Sequence, residues 1–76
     1  MEDKAIWSAV FALARDSDLG VRKQVLHTLC DGSPPVFERE VIEAVESLNS
    51  EPDKHLRRMA HKVLASYTRT GIWNIM

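Results

Sequence analysis

The chain has 76 residues, of which 45% are apolar and 28% charged, with a formal net charge of −1 and a single cysteine, Cys30. That balance excludes disordered, collagen-like and disulfide-stapled classes, and a net charge this close to zero argues against a protein dominated by nucleic-acid binding. So short a chain buries a smaller share of its surface than a typical domain, so its stability is expected to be marginal unless something outside the chain helps.

The first segment, Met1-Glu2-Asp3-Lys4, leads into Ala5-Ile6-Trp7-Ser8-Ala9-Val10-Phe11-Ala12-Leu13-Ala14. Its apolar run of about ten residues is too short for a membrane span and has no small-residue cleavage pattern, so neither a signal peptide nor a membrane anchor is expected. With one unpaired cysteine, the expected setting is a reducing cytoplasm. A helix is expected over about 4–15. It is apolar nearly all round, interrupted by Ser8, and such a helix needs cover on more than one side. Ile6, Trp7, Val10 and Phe11 are therefore candidate self-association residues.

Asp18 is placed to cap a second helix over about 19–30, which Asp31-Gly32-Ser33-Pro34-Pro35 ends with a glycine, a capping serine and prolines suited to a first turn. A third helix over about 35–49 carries Phe37, Val41, Ala44, Val45 and Leu48 at three- and four-residue steps. Asp53 can cap a fourth helix over about 53–69, with Leu56, Ala60, Val63, Leu64 and Tyr67 on its apolar side. No run alternates with period two, so no sheet is expected. Gly71 can stop the last helix, yet Ile72-Trp73-Asn74-Ile75-Met76 is too apolar for a free terminus. Ile72, Trp73 and Ile75 are expected to fold over an open end of the helices or to dock on another chain.

Charge is unevenly spread. Residues 1–31 carry four bases and five acids, 32–53 carry Arg39 against six acids, and 54–76 carry five bases and no acid. The fold should thus have acidic and basic faces that the net value conceals.

Asp16-Ser17-Asp18-Leu19-Gly20-Val21-Arg22-Lys23 aligns with Glu51-Pro52-Asp53-Lys54-His55-Leu56-Arg57-Arg58 at an offset of 35 residues. Val25, Thr28, Leu29 and Cys30 then fall on Ala60, Val63, Leu64 and Ala65. A repeat of this length points to stacked helical hairpins, here repeat one at about 4–31 and repeat two at about 35–69, with an apolar tail over 70–76, in a single domain spanning 1–76. On these residues the chain resembles the HEAT-repeat, armadillo-type helical family, departing from it at Leu19 and Lys54, where that family often has proline. The resemblance implies an all-α fold of two helical hairpins stacked as a short α-α solenoid. It also implies that Asp18 and Asp53 cap helices while Arg22 and Arg57 bridge turns, and a planar guanidinium suits that task because it can bind carboxylates and exposed helix carbonyls together.

Cys30 aligns with Ala65 and reads as a small buried hydrophobe rather than as a nucleophile activated by His27. His27 and Cys30 are too sparsely accompanied for a zinc site, so no metal is expected. No glycine-rich phosphate loop, catalytic carboxylate pair or nucleophile with base and orienter is present, so neither an enzyme nor a cofactor is expected.

What remains is a basic stripe. Lys23 and His27 lie one turn apart, align with Arg58 and Lys62, and are extended by Arg69. In a HEAT-like arrangement the second helix of each hairpin lines the concave surface, so this stripe is the candidate partner-binding site. The expected function is a protein interaction or scaffolding module that takes a protein or acidic peptide and self-associates, as a homo-oligomer or as part of a longer array. The alternative is weak, salt-dependent nucleic-acid or phosphate binding through the same cations.

Overall fold

The computed structural model describes residues 4–74, and among them the chain is all-α. Helix α1 runs Lys4–Leu13, α2 Leu19–Cys30, a 3-10 turn Pro35–Phe37 leads into α3 over Glu38–Leu48, and α4 runs Lys54–Thr70. No helix among the described residues is long and apolar enough to cross a membrane.

The helix ends follow from local chemistry. The Asp18 carboxylate accepts the Val21 backbone N–H at 3.2 Å, and that of Asp53 accepts the Leu56 N–H at 2.9 Å. Each satisfies a donor that the first turn of a helix leaves without a partner. At the other ends, Gly32 and Gly71 adopt φ of +93° and +76°, the left-handed conformation that only glycine takes without strain.

Two boundaries differ from the sequence expectation. Helix α1 stops at Leu13 because Ala14, Arg15 and Asp16 close tighter backbone bonds to Phe11, Ala12 and Leu13. The third helix does not begin at Pro35. Pro34, which precedes a proline, is held extended at ψ 140°, and the 3-10 turn that follows carries Phe37 at φ −101°, ψ 14° before α-helical geometry sets in. That turn seats the Phe37 ring 6.2 Å from Trp7 and 6.1 Å from Phe11.

Helix α1 packs on α2 and α3 on α4; across the two pairs, α1 meets α3, and α2 meets both α3 and α4. The extents of 31 × 29 × 17 Å fit two layers of helices, since two axes ~10 Å apart span about 15 Å of Cα positions. Between the layers lie Leu26, Leu29, Cys30, Val41, Val45, Leu48, Leu56 and Val63, each fully buried. At roughly 25 cal/mol per Å² of apolar surface removed from water, this shared core is the main favourable term for so small a chain.

The tail completes the core. Trp73 is only 7% exposed and stands edge-on to Tyr67 with ring centroids 6.2 Å apart. Its indole N–H donates to Ser33 Oγ at 2.6 Å, and the Asn74 side-chain oxygen accepts the backbone N–H groups of Gly32 and Ser33, both at 3.1 Å. Ser33 therefore does not cap a helix: its hydroxyl donates to Leu29 O at 2.7 Å and ties the end of α2 to the tail. Of the two fates expected for the tail, the described part folds back on its own chain, which removes Trp73 from the candidate self-association surface. Ile72 remains 54% exposed, and Ile75 lies outside the described residues.

Candidate functional site

The most densely hydrogen-bonded side-chain pair among the described residues joins the two hairpins. Arg22 Nη2 and Nε donate to the two carboxylate oxygens of Glu51 at 2.6 and 2.8 Å, a two-pronged ion pair across 29 residues of chain. The same guanidinium donates through Nη1 to the carbonyls of Asp16 and Ser17 at 2.9 and 3.0 Å. Glu51 is 5% exposed, and the Asp53 backbone N–H adds a 3.3 Å bond to it. Its carboxyl is held below the ordinary carboxylate range, chiefly by the Arg22 hydrogen bonds, with burial opposing and the Asp53 N–H assisting. The Arg22 guanidinium is held above its usual value for the reciprocal reason, with desolvation opposing.

Arg57, its counterpart, repeats half of this pattern. It donates to Glu51 O at 3.1 Å, six residues back, as Arg22 does to Asp16 O. No carboxylate meets its remaining nitrogens among the described residues. Of the two arginines expected to bridge turns, Arg22 reaches a carboxylate of the next turn, whereas Arg57 meets only a carbonyl of its own turn among the described residues. Glu51, the acceptor that makes the bridge possible, was not singled out from the sequence; its alignment with Asp16 was the available signal.

The basic stripe occupies the surface of α2 and α4. His27, Arg58, Lys62 and Arg69 are exposed and Lys23 is half-buried. Asp53, which caps α4, is held below the usual carboxylate range mainly by the Leu56 N–H, with desolvation opposing and the charges of Lys23 and His55 adding to it. Arg57, Arg58, His61 and Lys62 line a shallow groove that Asn49 closes at the end of α3. The only ion pairs among the described residues are Arg22–Glu51 and the exposed Arg39–Glu43, so no stripe cation has an acidic partner there.

The two ends of the helix stack differ. Extending the 35-residue offset to α1 and α3 aligns Ile6, Ala9, Val10 and Leu13 with Val41, Ala44, Val45 and Leu48. The latter four are buried because α3 is enclosed by the other helices, whereas Ile6 is 58% and Leu13 42% exposed and Ala5, Ala9 and Ala12 are exposed beside them. One side of α1 is thus an open apolar face. Its other side, Trp7, Val10, Phe11 and Ala14, is turned inward: Trp7, Val10 and Phe11 are half-buried against the core and Ala14 is buried in it. Of the four α1 residues proposed for self-association, Ile6 is thus the one that stands in solvent.

At the opposite end, Glu46, Asn49 and His61 stand in solvent where the first hairpin has Phe11, Ala14 and Leu26. Polar residues there keep the outer side of the second hairpin wet. Half-buried Ile42 and Leu64 remain on it, and the Tyr67 hydroxyl donates to Glu38, which raises the phenol above its usual pKa.

Other groups able to do chemistry are held apart. Cys30 is fully buried and its thiol is pushed up to about 11 by desolvation, while His27 one turn earlier is exposed. Among the described residues no three His, Cys, Asp or Glu side chains converge as metal ligands would. A groove between α1 and α3 brings Arg15 near Glu40 and Glu43, but the hydroxyl beside them, Ser47 Oγ, donates to Ala44 O at 2.6 Å.

Comparison with known protein families, with curated proteins and with solved structures finds no match.

Proposed function

We propose that this chain is a non-enzymatic protein-interaction module of HEAT-like type, which takes acidic segments along the α2–α4 ridge and self-associates through its ends. One observation carries the reading: Arg58, Lys62 and Arg69 are exposed on one helix with no carboxylate partner among the described residues, beside a groove that adds Arg57, His61 and Asn49. Solvated cations on an open ridge attract an anion without first breaking an internal ion pair, and complementary charge speeds encounter and sets register. Among the described residues every buried side-chain nitrogen and oxygen has a hydrogen-bond partner, so no buried polar group elsewhere competes with the ridge as a site.

The test is a fluorescence titration of the full chain with a labelled poly-glutamate peptide, and separately with single-stranded and double-stranded DNA, each at two salt concentrations. Peptide binding that is lost in Arg58→Glu/Lys62→Glu supports the reading. Nucleic-acid binding stronger than peptide binding, weakening by about a hundredfold or more between 50 and 200 mM salt, would replace it with the phosphate-backbone alternative. No binding to either anion removes the ridge as a site.

A further inference from the structure

The joint between the hairpins is a ladder with two open ends. Within the chain, a guanidinium from the first hairpin (Arg22) reaches the turn carboxylate of the second (Glu51) while holding carbonyls of its own turn. The equivalent acceptor one repeat earlier is Asp16, and the equivalent donor one repeat later is Arg57. Asp16 uses one oxygen, Oδ1, on the Asp18 backbone N–H at 2.8 Å, the bond that Glu51 Oε1 makes to the Asp53 N–H. Its Oδ2 has no hydrogen bond among the described residues. Arg57 spends Nη1 on Glu51 O, leaving Nε and Nη2, the two nitrogens through which Arg22 grips Glu51, without a hydrogen bond.

From these paired vacancies we propose that a second copy of this chain stacks head to tail on the first, with Arg57 of one copy donating to Asp16 of the next in the register that joins Arg22 to Glu51. The proposal rests on the self-association reading above and names its surface. The shape of the two end faces agrees with it. The second hairpin's outer side carries Glu38 and Glu46 along α3 with Ile42 between them, and the α1 face that would receive it is floored by Ala5, Ala9 and Ala12 beside the exposed Ile6 and Leu13. Small side chains there let a helix approach closely, as Ala44 of α3 does beneath α1.

Glu46, Asn49 and His61 make this joint wetter than the internal one, so the association is weak, reversible and salt-sensitive, and its charge pairs carry the specificity. A head-to-tail contact of this kind leaves one working end on every added copy, so the masses rise in a series that ends only where a ring closes, rather than stopping at a two-fold dimer.

Blocked ends supply the test. Arg57→Glu removes the donor and keeps the Asp16 acceptor; Asp16→Lys removes the acceptor and keeps Arg57. Asp16→Asn is the companion variant that retains a side-chain oxygen for the Asp18 N–H, should the lysine disturb the turn. Circular dichroism confirms folding, and light scattering over a concentration series at low salt gives the mass. The wild type is expected to rise through dimer and larger species. Each variant alone is expected to associate at least about tenfold more weakly. An equimolar mixture of Arg57→Glu and Asp16→Asn, in which the two altered ends carry no opposite charges, is expected to recover a dimer and nothing larger, since each chain then has one working end.

A folded wild type that stays monomeric throughout overturns both this proposal and the self-association reading. Association that persists unchanged in both variants overturns the head-to-tail register alone. If Leu13→Glu then abolishes it, the copies meet through their α1 faces about a two-fold axis instead.

Discussion

Replacing Trp73 with alanine tests whether the last residues are part of the fold. The indole is 7% exposed, packs edge-on against Tyr67 and donates to Ser33, which is itself 2% exposed. Truncating a buried tryptophan costs about 3–5 kcal/mol, because the transfer free energy is lost and the site collapses only in part. A chain of 76 residues has a total stability of only about 4–11 kcal/mol at the usual density per residue. Trp73→Ala therefore removes a large fraction of it, and at about 4–8 °C per kcal/mol the melting temperature should fall by at least about 12 °C. Trp73→Phe separates the two contributions. It keeps an aromatic ring beside Tyr67 but takes away the donor to Ser33 Oγ, a buried hydrogen bond that costs about 1–2 kcal/mol to lose. The expected order of stability by thermal melts in far-ultraviolet circular dichroism is wild type, then Trp73→Phe, then Trp73→Ala. If Trp73→Ala melts within about 3 °C of the wild type, the tail is not part of the core and the reasoning fails.

Acid should act through Glu51. Its carboxyl is held below the ordinary range in the folded chain, so the unfolded chain binds the proton more tightly; the pair's stabilisation is complete above about pH 4.3 and is lost as pH falls through the lowered folded value. Glu51→Gln should be less stable than the wild type at pH 7 and show a shallower loss of melting temperature between pH 5 and 3, whereas parallel curves would refute the assignment. Cys30, fully buried and with its thiol raised to about 11, should react with iodoacetamide at pH 8 about a hundredfold more slowly in the native chain than in urea. Equal rates in the two states would show that the end of α2 opens freely.

The helices were legible because their signals are local. Asp18 and Asp53 reach backbone donors three residues on, Gly32 and Gly71 take up left-handed conformations at helix ends, and Val41, Ala44, Val45 and Leu48 recur at helical spacing. The 35-residue offset likewise marked Arg22 and Arg57 as equivalent and His61 as the polar counterpart of Leu26. The stripe cations could be named for the same reason, since residues one turn apart share a face whatever packs behind them.

Periodicity says which side of a helix is apolar; it does not say which neighbour will cover it. That decision belonged to the tertiary structure. It turned Trp7 and Phe11 inward onto Phe37 while leaving Ile6 and Leu13 in solvent, although all four lie on one helix that is apolar nearly all round. It drew Trp73 onto Ser33 across 40 residues of chain and joined Arg22 to Glu51 across 29. It also made two arginines with the same sequence surroundings unlike: Arg22 has a turn carboxylate stacked above it, and Arg57 has none among the described residues. Propensity and capping act within about four residues and so can be read along the chain, whereas a partner tens of residues away is chosen only when whole helices settle against one another.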